Sequence, residues 1–352
     1  MKRFLITGGA GFIGSHTCLT LLENNYNLIV IDSLINSSEK VIDKIKYIFK
    51  KKKSKAYKNL KFLKGDLRNK NFVNSIFRNQ LNKGTPIQGV IHFAGLKSVP
   101  QSFSEPLNYW ENNVYGTINL LKAMEKYLCN LIVFSSTATV YGKTKKNLIN
   151  EADICNPINP YGVTKFVIEK LLNDLYLSDS SFWKIANLRY FNPIGAHSSG
   201  IIGESPLSFS SNIFPLINKV ALGKKNKINI FGNDWPTNDG TCIRDYIHVM
   251  DLAQGHLLAM EYLLNSKPGI ITLNLGTGKG TSVIELIEIF QDVNKIKIPY
   301  DFSPRRKGDH AIVVADNSLA SSLLNWTPQR NIADMCKDGW QWNRNHPEGF
   351  EN

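Results

Sequence analysis

Tyr161 and Lys165 stand four residues apart and together could remove a proton from an alcohol. On a helix, positions i and i+4 share one face, so both side chains can reach the same ligand. A free tyrosine has a pKa of about 10 and is a poor base at neutral pH. A nearby ammonium group favours the phenolate form. The spacing therefore predicts Tyr161 as a general base and Lys165 as its electrostatic partner.

Hydroxyl side chains are expected close to this pair. Ser135, Ser136 and Thr137 follow the apolar stretch at residues 131–134, which has the composition of a buried strand. Tyr161 follows a proline, which predicts that a helix starts there. We therefore expect a hydroxyl of the strand end to meet the tyrosine and to orient a hydroxyl of the substrate.

A glycine loop lies between an apolar stretch at residues 4–7 and a helical pattern at 13–24. Gly8, Gly11 and Gly14 give it the spacing GxxGxxG. The first glycine permits a tight turn, the second lets a pyrophosphate approach the backbone, and the third lets helix and strand pack closely. Asp32 ends the next apolar stretch, where a carboxylate accepts bonds from a ribose 2′-hydroxyl and repels a 2′-phosphate. These features predict a dinucleotide site for NAD rather than NADP.

Apolar stretches alternate with amphipathic ones through the first half of the chain. They occur at residues 4–7, 28–31, 60–63, 90–93, 131–134 and 185–188. Stretches that are apolar throughout are typical of parallel strands buried on both faces. Asp66, Ala94 and Gly95 follow two of them, at the sheet edge where open α/β folds bind ligands. We predict a Rossmann-type, doubly wound parallel sheet of the α/β class.

After residue 195 the pattern loosens, with helical patterns at 214–222, 249–264 and 283–292. We therefore predict an NAD-binding domain at 1–195 and a smaller, mixed α/β substrate domain at 196–352, with some interleaving of the chain around 243–255. A second glycine-rich run at 276–280 is interpreted as a structural or substrate-side turn, because no acid-terminated strand follows it.

Composition excludes several classes of function. No run of the 352 residues is long and apolar enough to cross a bilayer. Five scattered cysteines without metal-ligand spacing predict free thiols in a reducing compartment and no metal site. The first strand begins almost at Met1, so we expect no signal peptide and a cytoplasmic location. Much of the net charge of +13 falls in a lysine-rich stretch at 50–58, which favours a solvated surface over nucleic-acid binding.

Several separate segments resemble the extended short-chain dehydrogenase/reductases and, among them, the UDP-glucose 4-epimerases. Besides the glycine loop and the Tyr-Lys pair, they include Arg-Tyr-Phe-Asn-Pro at 189–193, Arg-Asp-Tyr-Ile-His-Val at 244–249 and Arg-Arg-Lys-Gly-Asp at 305–309. The resemblance covers nearly the whole chain. It implies that UDP-glucose and UDP-galactose are interconverted by reversible hydride transfer from C4 to tightly bound NAD, through a 4-keto sugar, in a homodimer.

The resemblance also implies roles for single residues. Tyr161 would take the proton of the C4 hydroxyl, Lys165 would also bind the nicotinamide ribose, and Thr137 would hold the sugar hydroxyl. From sequence pattern and resemblance together, the NAD site also comprises Gly8, Gly11, Phe12, Ile13, Gly14, Asp32, Asn36, Ser37, Asp66, Leu67, Phe93, Ala94, Gly95, Lys97, Asn112, Ser135 and Phe191. The nucleotide-sugar site also comprises Asn192, Asn212, Ile213, Phe231, Arg244, Arg306 and Asp309. Arginines suit a diphosphate because they form bidentate, charge-assisted bonds.

Val313 stands where related enzymes carry either a tyrosine or a smaller residue. A small side chain there would leave room for an N-acetyl group. We therefore expect UDP-N-acetylglucosamine and UDP-N-acetylgalactosamine to be accepted as well.

Three alternative functions compete with this interpretation. A nucleotide-sugar 4,6-dehydratase needs an acid pair directly after the strand-end Ser/Thr, but Ala138 and Thr139 stand there. A UDP-glucuronate-type epimerase stays open and would require a site for the sugar carboxylate. A non-catalytic, NAD-sensing regulator could share the fold, but it would not need Tyr161 and Lys165.

Overall fold

The computed structural model describes residues 2–143, 146–206, 212–306 and 308–350. These residues form fifteen strands: β1 Arg3–Thr7, β2 Asn27–Asp32, β3 Leu60–Lys64, β4 Gly89–His92, β5 Leu131–Thr137, β6 Leu148–Ile149, β7 Lys184–Tyr190, β8 Asn192–Ile194, β9 Ile228–Phe231, β10 Ile243–Arg244, β11 Tyr246–His248, β12 Gly269–Leu275, β13 Thr281–Ser282, β14 Tyr300–Ser303 and β15 Ile312–Ala315.

Seven parallel strands make up the large sheet, in the order β3-β2-β1-β4-β5-β7-β12. The direction of strand addition reverses between β1 and β4, and open α/β sheets bind ligands at such a point. The remaining strands form a mixed sheet, β13-β10-β15-β6, and two parallel pairs, β11-β8 and β14-β9. The predicted Rossmann-type parallel sheet is confirmed.

Twelve α-helices are described: α1 Phe12–Glu23, α2 Lys40–Lys51, α3 Lys70–Asn82, α4 Val99–Ser104, α5 Pro106–Tyr109, α6 Gly116–Lys126, α7 Pro160–Ser178, α8 Ile213–Ala221, α9 Val249–Asn265, α10 Val283–Asn294, α11 Ser318–Leu324 and α12 Ile332–Asn345. A π-helical segment, Trp110–Tyr115, joins α5 to α6. A continuous helical stretch therefore runs from Pro106 to Lys126. In the described ranges no helix is both long and apolar enough to span a membrane.

Alternate residues of each central strand serve two different apolar cores. In β1, Phe4 and Ile6 pack in the core that also holds residues of α1, α2 and α9. Leu5 packs on the opposite face with residues of α3, α6 and α7. All three side chains are fully buried. Burial on both faces of the sheet explains why the sequences of these strands are apolar throughout.

The chain returns to the large sheet after entering the smaller part. Helix α9 packs on α1, and β12 pairs with β7 along its whole length. The six apolar stretches predicted as strands end at residue 188, so the seventh strand, which lies in the predicted substrate domain, was missed. The boundary proposed at residue 195 stays a prediction, and the interleaving extends beyond 243–255 to the end of β12.

The second glycine-rich run binds a carboxylate of the protein itself. Asp245 is fully buried and accepts hydrogen bonds from Thr277 N (2.7 Å), Thr277 Oγ1 (2.6 Å), Gly278 N (2.9 Å) and Ala315 N (3.2 Å). The amides of this run donate to Asp245 and are therefore not available to bind a nucleotide phosphate. The loop is structural, and it fixes the segment that carries Arg244.

Candidate active site

A cleft of about 470 Å³ lies at the carboxyl ends of the central strands. Every residue predicted above for catalysis, NAD or the nucleotide sugar lines this cleft, except Val313. Val313 pairs with Arg244 between β15 and β10 and packs against the apolar cluster that includes Tyr141 and Phe191. Its side chain therefore belongs to this cluster and is not among the residues that line the cleft.

The glycine turn exposes bare backbone to the cleft. Gly8 has φ +67°, and a Cβ there would lie 2.6 Å from Ala94 N. A Cβ on Gly14 would lie 2.4 Å from the carbonyl oxygen of Gly8. Larger residues would fill this cradle and separate β1 from α1. The turn therefore fits a pyrophosphate at the start of α1, where free amides and the helix dipole favour anions.

Asp32 is oriented before any ligand binds. Its carboxylate accepts hydrogen bonds from Ala10 N (3.0 Å), Leu34 N (2.9 Å) and Ser37 Oγ (2.8 Å). These contacts join the end of β2 to the glycine turn and hold the carboxylate at the cleft wall. A negative charge in this place fits a ribose diol and disfavours a 2′-phosphate.

Helix α7 presents the Tyr-Lys pair to the end of β5. Its first turn is capped by Asn159, whose side chain accepts from Gly162 N at 2.8 Å. Lys165 Nζ donates to the carbonyl oxygen of Ser135 at 2.8 Å. Thr137 lines the cleft beside Tyr161, and its hydroxyl donates to Thr139 Oγ1 at 3.0 Å. The predicted convergence of strand end and helix face is present in the structure.

Burial changes the proton affinities of this pair. Removal from water raises the pKa of Tyr161 to about 12, although the neighbouring Thr137 acts in the opposite direction. Burial also lowers the pKa of Lys165 to about 8, and the nearby charge of Glu169 partly offsets this. The direction for Tyr161 is opposite to that expected above from Lys165 alone. Desolvation, which the spacing does not report, is the largest cause of this rise.

A buried ion pair supports the helix behind Lys165. Glu169 and Arg189 form two hydrogen bonds, from Arg189 Nε to Glu169 Oε1 (3.0 Å) and from Arg189 Nη2 to Glu169 Oε2 (2.6 Å). Ser136 Oγ also donates to Glu169, and Arg189 Nη1 donates to the hydroxyl of Tyr141 at 3.0 Å. The pair thus connects α7 with β5 and β7.

The π-helical segment shapes the wall next to Lys97. Asn113 is buried in this segment, accepts from Leu96 N at 2.8 Å, and donates to Thr164 Oγ1 at 3.0 Å. π-Helical segments recur at functional sites because they redirect side chains. Lys97 itself pairs with Glu204 at 2.9 Å, and both residues line the cleft.

The opposite end of the cleft is rich in arginine. Arg306 lies over the ring of Phe231, with its guanidinium carbon 4.7 Å from the ring centroid, and pairs with Asp309 at 3.0 Å. Arg244 Nη1 donates to the carbonyl oxygens of Ile243 and His310, both at 2.8 Å. Two guanidinium groups and an aromatic face in one wall fit the diphosphate and base of a nucleotide.

Several lining residues were not singled out from the sequence, namely Thr139, Tyr190, Glu204, Cys242 and Tyr246. Tyr190 and Tyr246 lie inside the segments that carry the family resemblance, so the signal for them was present. Glu204 is one acid in a region of irregular pattern, and no spacing points to it. In the described residues no group of three or more His, Cys, Asp or Glu could hold a metal ion.

Known proteins with similar sequences identify the family of this chain. The family model described as GDP-mannose 4,6 dehydratase matches residues 5–339. The UDP-glucose 4-epimerase of Bacillus subtilis (strain 168) is 46% identical over 347 residues, which cover 99% of this chain and 98% of the relative. The chain belongs to the UDP-glucose 4-epimerase family.

Solved structures of UDP-glucose 4-epimerases share the fold. The crystal structure from Bifidobacterium longum in complex with NAD⁺ and UDP is 40% identical and superposes with a TM-score of 0.91, covering 99% of this chain and 100% of that one. The UDP-Glc/GlcNAc 4-epimerase from Campylobacter jejuni is 32% identical, with a TM-score of 0.83 and coverage of 98% and 100%. These similarities confirm the resemblance described above.

The unusual proton affinity of Lys165 predicts how stability depends on pH. Folding lowers its pKa from 10.5 to about 8, so the unfolded chain binds this proton more tightly. Between these two values the unfolded state holds more protons, and stability rises with pH. For wild type, relative to Lys165→Met, we expect the free energy of unfolding to increase by about 3 kcal/mol from pH 8 to 10.5.

Urea denaturation of both proteins at several pH values measures this difference. Lys122→Met, which removes an exposed lysine of α6, serves as the matched control and should parallel wild type. Identical pH profiles for wild type and Lys165→Met would show that burial does not perturb Lys165.

Proposed function

We propose that this protein interconverts UDP-glucose and UDP-galactose by removing and returning the hydrogen at C4 of the sugar. The observation that carries the proposal is the meeting of Tyr161, Lys165 and Thr137 in the cleft at the end of β5, where Lys165 Nζ donates to the strand. Ala138 and Thr139 follow, so the centre lacks the acid pair that elimination of water requires.

The residues of the cleft fit NAD. The Gly8–Gly14 turn would hold the pyrophosphate, Asp32 the adenosine ribose, and Lys165 the nicotinamide ribose. Relatives crystallised with NAD support this cofactor. When bound, NAD supplies a group that accepts a hydride from C4 and gives it back.

The side chains of the chain itself manage protons and orientation. Thr137 would orient the C4 hydroxyl, and Tyr161 would take its proton and later return it. Because burial raises the pKa of Tyr161 to about 12, a positive charge must face the phenol for it to act as a base. Lys165 and the positively charged nicotinamide ring of NAD⁺ both meet that need.

Epimerisation also requires that the 4-keto sugar turn over while the nucleotide stays in place. Arg244 and Arg306 line the far end of the cleft and would hold the diphosphate by charge-assisted bonds. Phe231, beneath Arg306, would contact the base. With its anchor at this end, the sugar can present its opposite face to the same hydride donor.

Two other functions are tested together with this one. Separate incubations with UDP-galactose, UDP-N-acetylgalactosamine and UDP-glucuronate, with products resolved by NMR, distinguish the substrate classes. Turnover of UDP-glucuronate alone would favour the glucuronate-type epimerase. Bound NAD without turnover of any sugar would favour the non-catalytic regulator.

Removal of the phenol tests its role in catalysis. We expect Tyr161→Phe to reduce turnover of UDP-galactose by roughly 10²- to 10⁴-fold, because the general base is lost. NAD should remain bound, since the ring and Lys165 stay in place. NMR of the products and the NAD content of the purified protein measure both quantities.

Tyr115→Phe, which alters a half-exposed tyrosine of the π-helical segment, is the matched control. Near-normal turnover by Tyr161→Phe would assign the base to another group. Loss of NAD together with turnover would assign Tyr161 to binding instead.

We further propose that the N-acetylated UDP-sugars are substrates. Val313 is small and packs against the apolar cluster that includes Phe191, a residue of the cleft wall, so this part of the wall could accommodate a larger sugar. A tyrosine would overpack this cluster and press Phe191 toward the cleft. For Val313→Tyr we expect kcat/KM for UDP-N-acetylgalactosamine to fall about tenfold or more relative to UDP-galactose.

Val313→Ala, which keeps the position small, should retain both activities and serves as the control. Equal effects of Val313→Tyr on both sugars would contradict a role of this position in selectivity. The Campylobacter jejuni relative, whose name includes GlcNAc, independently supports the proposal that N-acetylated UDP-sugars are also substrates.

A homodimer accounts for an exposed apolar surface on α4, α5, the π-helical segment and α7. Phe103, Leu107, Trp110, Tyr115 and Leu177 expose between 38% and 78% of their surface there. Clusters of this kind are typical of interfaces, and a twofold axis buries the same patch on both copies. We propose that α5–α6 and α7 pack against the same helices of a second chain.

Light scattering should give the mass of two chains for wild type. Leu107→Glu should give one, because a carboxylate at the centre of the contact would be desolvated without a partner. Ile154→Glu, at an equally exposed apolar residue outside these helices, should remain dimeric. A wild-type mass of one chain would contradict the proposal.

We also propose a cytoplasmic location. All five cysteines are free, and four of them are buried. Unpaired thiols suit a reducing compartment.

A further inference from the structure

A bidentate ion pair lies just after β3, at the wall of the cleft. Arg68 donates to the carboxylate of Asp66 from Nε, at 3.1 Å to each oxygen, and from Nη2, at 2.7 Å to Oδ2. The backbone N–H of Arg68 also donates to Asp66 Oδ1 at 2.8 Å. Asp66 lines the cleft and Arg68 does not. Arg68 therefore approaches the carboxylate from outside the cleft.

The turn that carries Asp66 is also fixed through its backbone. Asn119 is buried on α6, and its Nδ2 donates to the carbonyl oxygens of Leu67 (3.1 Å) and Arg68 (3.2 Å). On the outer side, a carboxylate oxygen of Glu111, in the π-helical segment, lies 3.8 Å from Nη1 of Arg68. With its backbone held by Asn119 and its carboxylate held by Arg68, Asp66 has one defined orientation at the cleft wall.

The acceptor capacity of this carboxylate is mostly filled from within the protein. An ionised carboxylate offers about four lone-pair sites, and Arg68 supplies three hydrogens, one of which is shared between both oxygens. About one acceptor site is left for a ligand in the cleft. Although partial burial acts to raise the pKa of Asp66, the bonds from Arg68 hold it below its usual value. The group is therefore ionised near pH 7 and has no hydrogen to donate.

The order of the strand ends places Asp66 beside the base of the cofactor. β1, β2 and β3 are neighbours in the sheet, and their carboxyl ends lead to the glycine turn, Asp32 and Asp66 in that order. With the pyrophosphate on the glycine turn and the adenosine ribose at Asp32, the adenine would extend to the end of β3. The exocyclic 6-amine of adenine is a hydrogen-bond donor, whereas its ring nitrogens accept.

We infer that Arg68 is a positioning residue for the base of NAD, because it fixes the Asp66 carboxylate with its remaining acceptor site toward the adenine 6-amine. The inference rests on the proposed function, since it requires NAD in the cleft. Arg68 has only donors, so it binds whatever acceptor stands at position 66 and thereby sets which atoms that side chain presents to the cleft. A base with an oxygen in place of the amine would meet a fixed negative charge.

The experiment compares NAD with nicotinamide hypoxanthine dinucleotide, in which an oxygen replaces the 6-amine. The purified protein is incubated with an equimolar excess of both dinucleotides until the bound ratio is constant, and the bound dinucleotides are quantified by mass spectrometry. The analogue also carries a hydrogen on N1, but this difference is the same for every variant. Each ratio is therefore compared with that of a reference variant, Asp66→Asn with Arg68→Met, whose amide is free to turn either end to the base.

The expected ratios differ in direction. Wild type should prefer NAD about tenfold or more relative to the reference variant, because a fixed carboxylate accepts from the amine and repels the oxygen. Asp66→Asn alone should shift the ratio about threefold or more the other way, because Arg68 binds the amide oxygen and leaves the NH₂ group to donate to the analogue.

A third variant tests Arg68 with the carboxylate in place. Arg68→Met should lower the preference for NAD about threefold or more below wild type, because the freed carboxylate can turn to water when the base carries an oxygen. Arg78→Met, which removes an exposed arginine of α3 that does not line the cleft, is the matched control and should keep the wild-type ratio. If Asp66→Asn folds poorly, the comparison of Arg68→Met with wild type decides alone.

The ratio of two affinities is insensitive to a general loss of stability, which is all that removal of a merely structural ion pair would cause. Equal ratios for Asp66→Asn and the reference variant, or for Arg68→Met and wild type, would overturn the inference. So would a wild type with no preference relative to the reference. Failure of wild type to bind either dinucleotide would count against the proposed function instead.

Discussion

The buried pair of Glu169 and Arg189 is the contact on which the geometry of the catalytic centre depends. Glu169 follows Lys165 by one helical turn, while Arg189 belongs to β7 and Ser136 to β5. These contacts fix the rotation of α7 and its height above the sheet. Desolvation of the two charges offsets much of their mutual attraction. The pair therefore positions α7 on the sheet more than it stabilises the folded state. The position of Tyr161 at the end of β5 follows from it.

Charge is distributed along the cleft in the order that its ligands would need. Asp32 stands at the end of β2, Lys165 lies near the centre, and Arg244 and Arg306 line the far end. Each charge is held by contacts within the protein, such as the three donors around Asp32 and the carbonyl that receives Lys165. Groups fixed in this way need little reorganisation when a ligand arrives, and this is the usual source of electrostatic catalysis.

Much of the fold and of the site could be predicted from sequence, because each depended on a local signal. Strands buried on both faces are apolar throughout, and the glycine turn and the Tyr-Lys spacing are short-range patterns. Strand β12 was missed because its partner, β7, is about 85 residues away along the chain. The π-helical segment lies inside a helix, where the periodicity of the sequence barely changes.

Other features depend on three-dimensional packing and leave no pattern in the sequence. The pKa of Tyr161 is governed by how much water the folded cleft excludes, and the spacing between Tyr161 and Lys165 does not report this exclusion. Val313 was expected at the sugar pocket from its place in a motif, but it packs against the apolar cluster that includes Phe191 and is not among the residues that line the cleft. His256 appears in the sequence as an ordinary polar residue of α9, and only the fold brings it within hydrogen-bond distance of Tyr190.

The return of the chain to the large sheet has a consequence for how such a protein can evolve. A fragment that ended at residue 195 would lack α9 and β12, and it would leave β7 as a bare sheet edge with an uncovered apolar face. The cofactor half is therefore not a portable module that recombination could join to a new partner. Changes of specificity must instead accumulate in the loops and strand ends around the cleft, on a scaffold inherited whole.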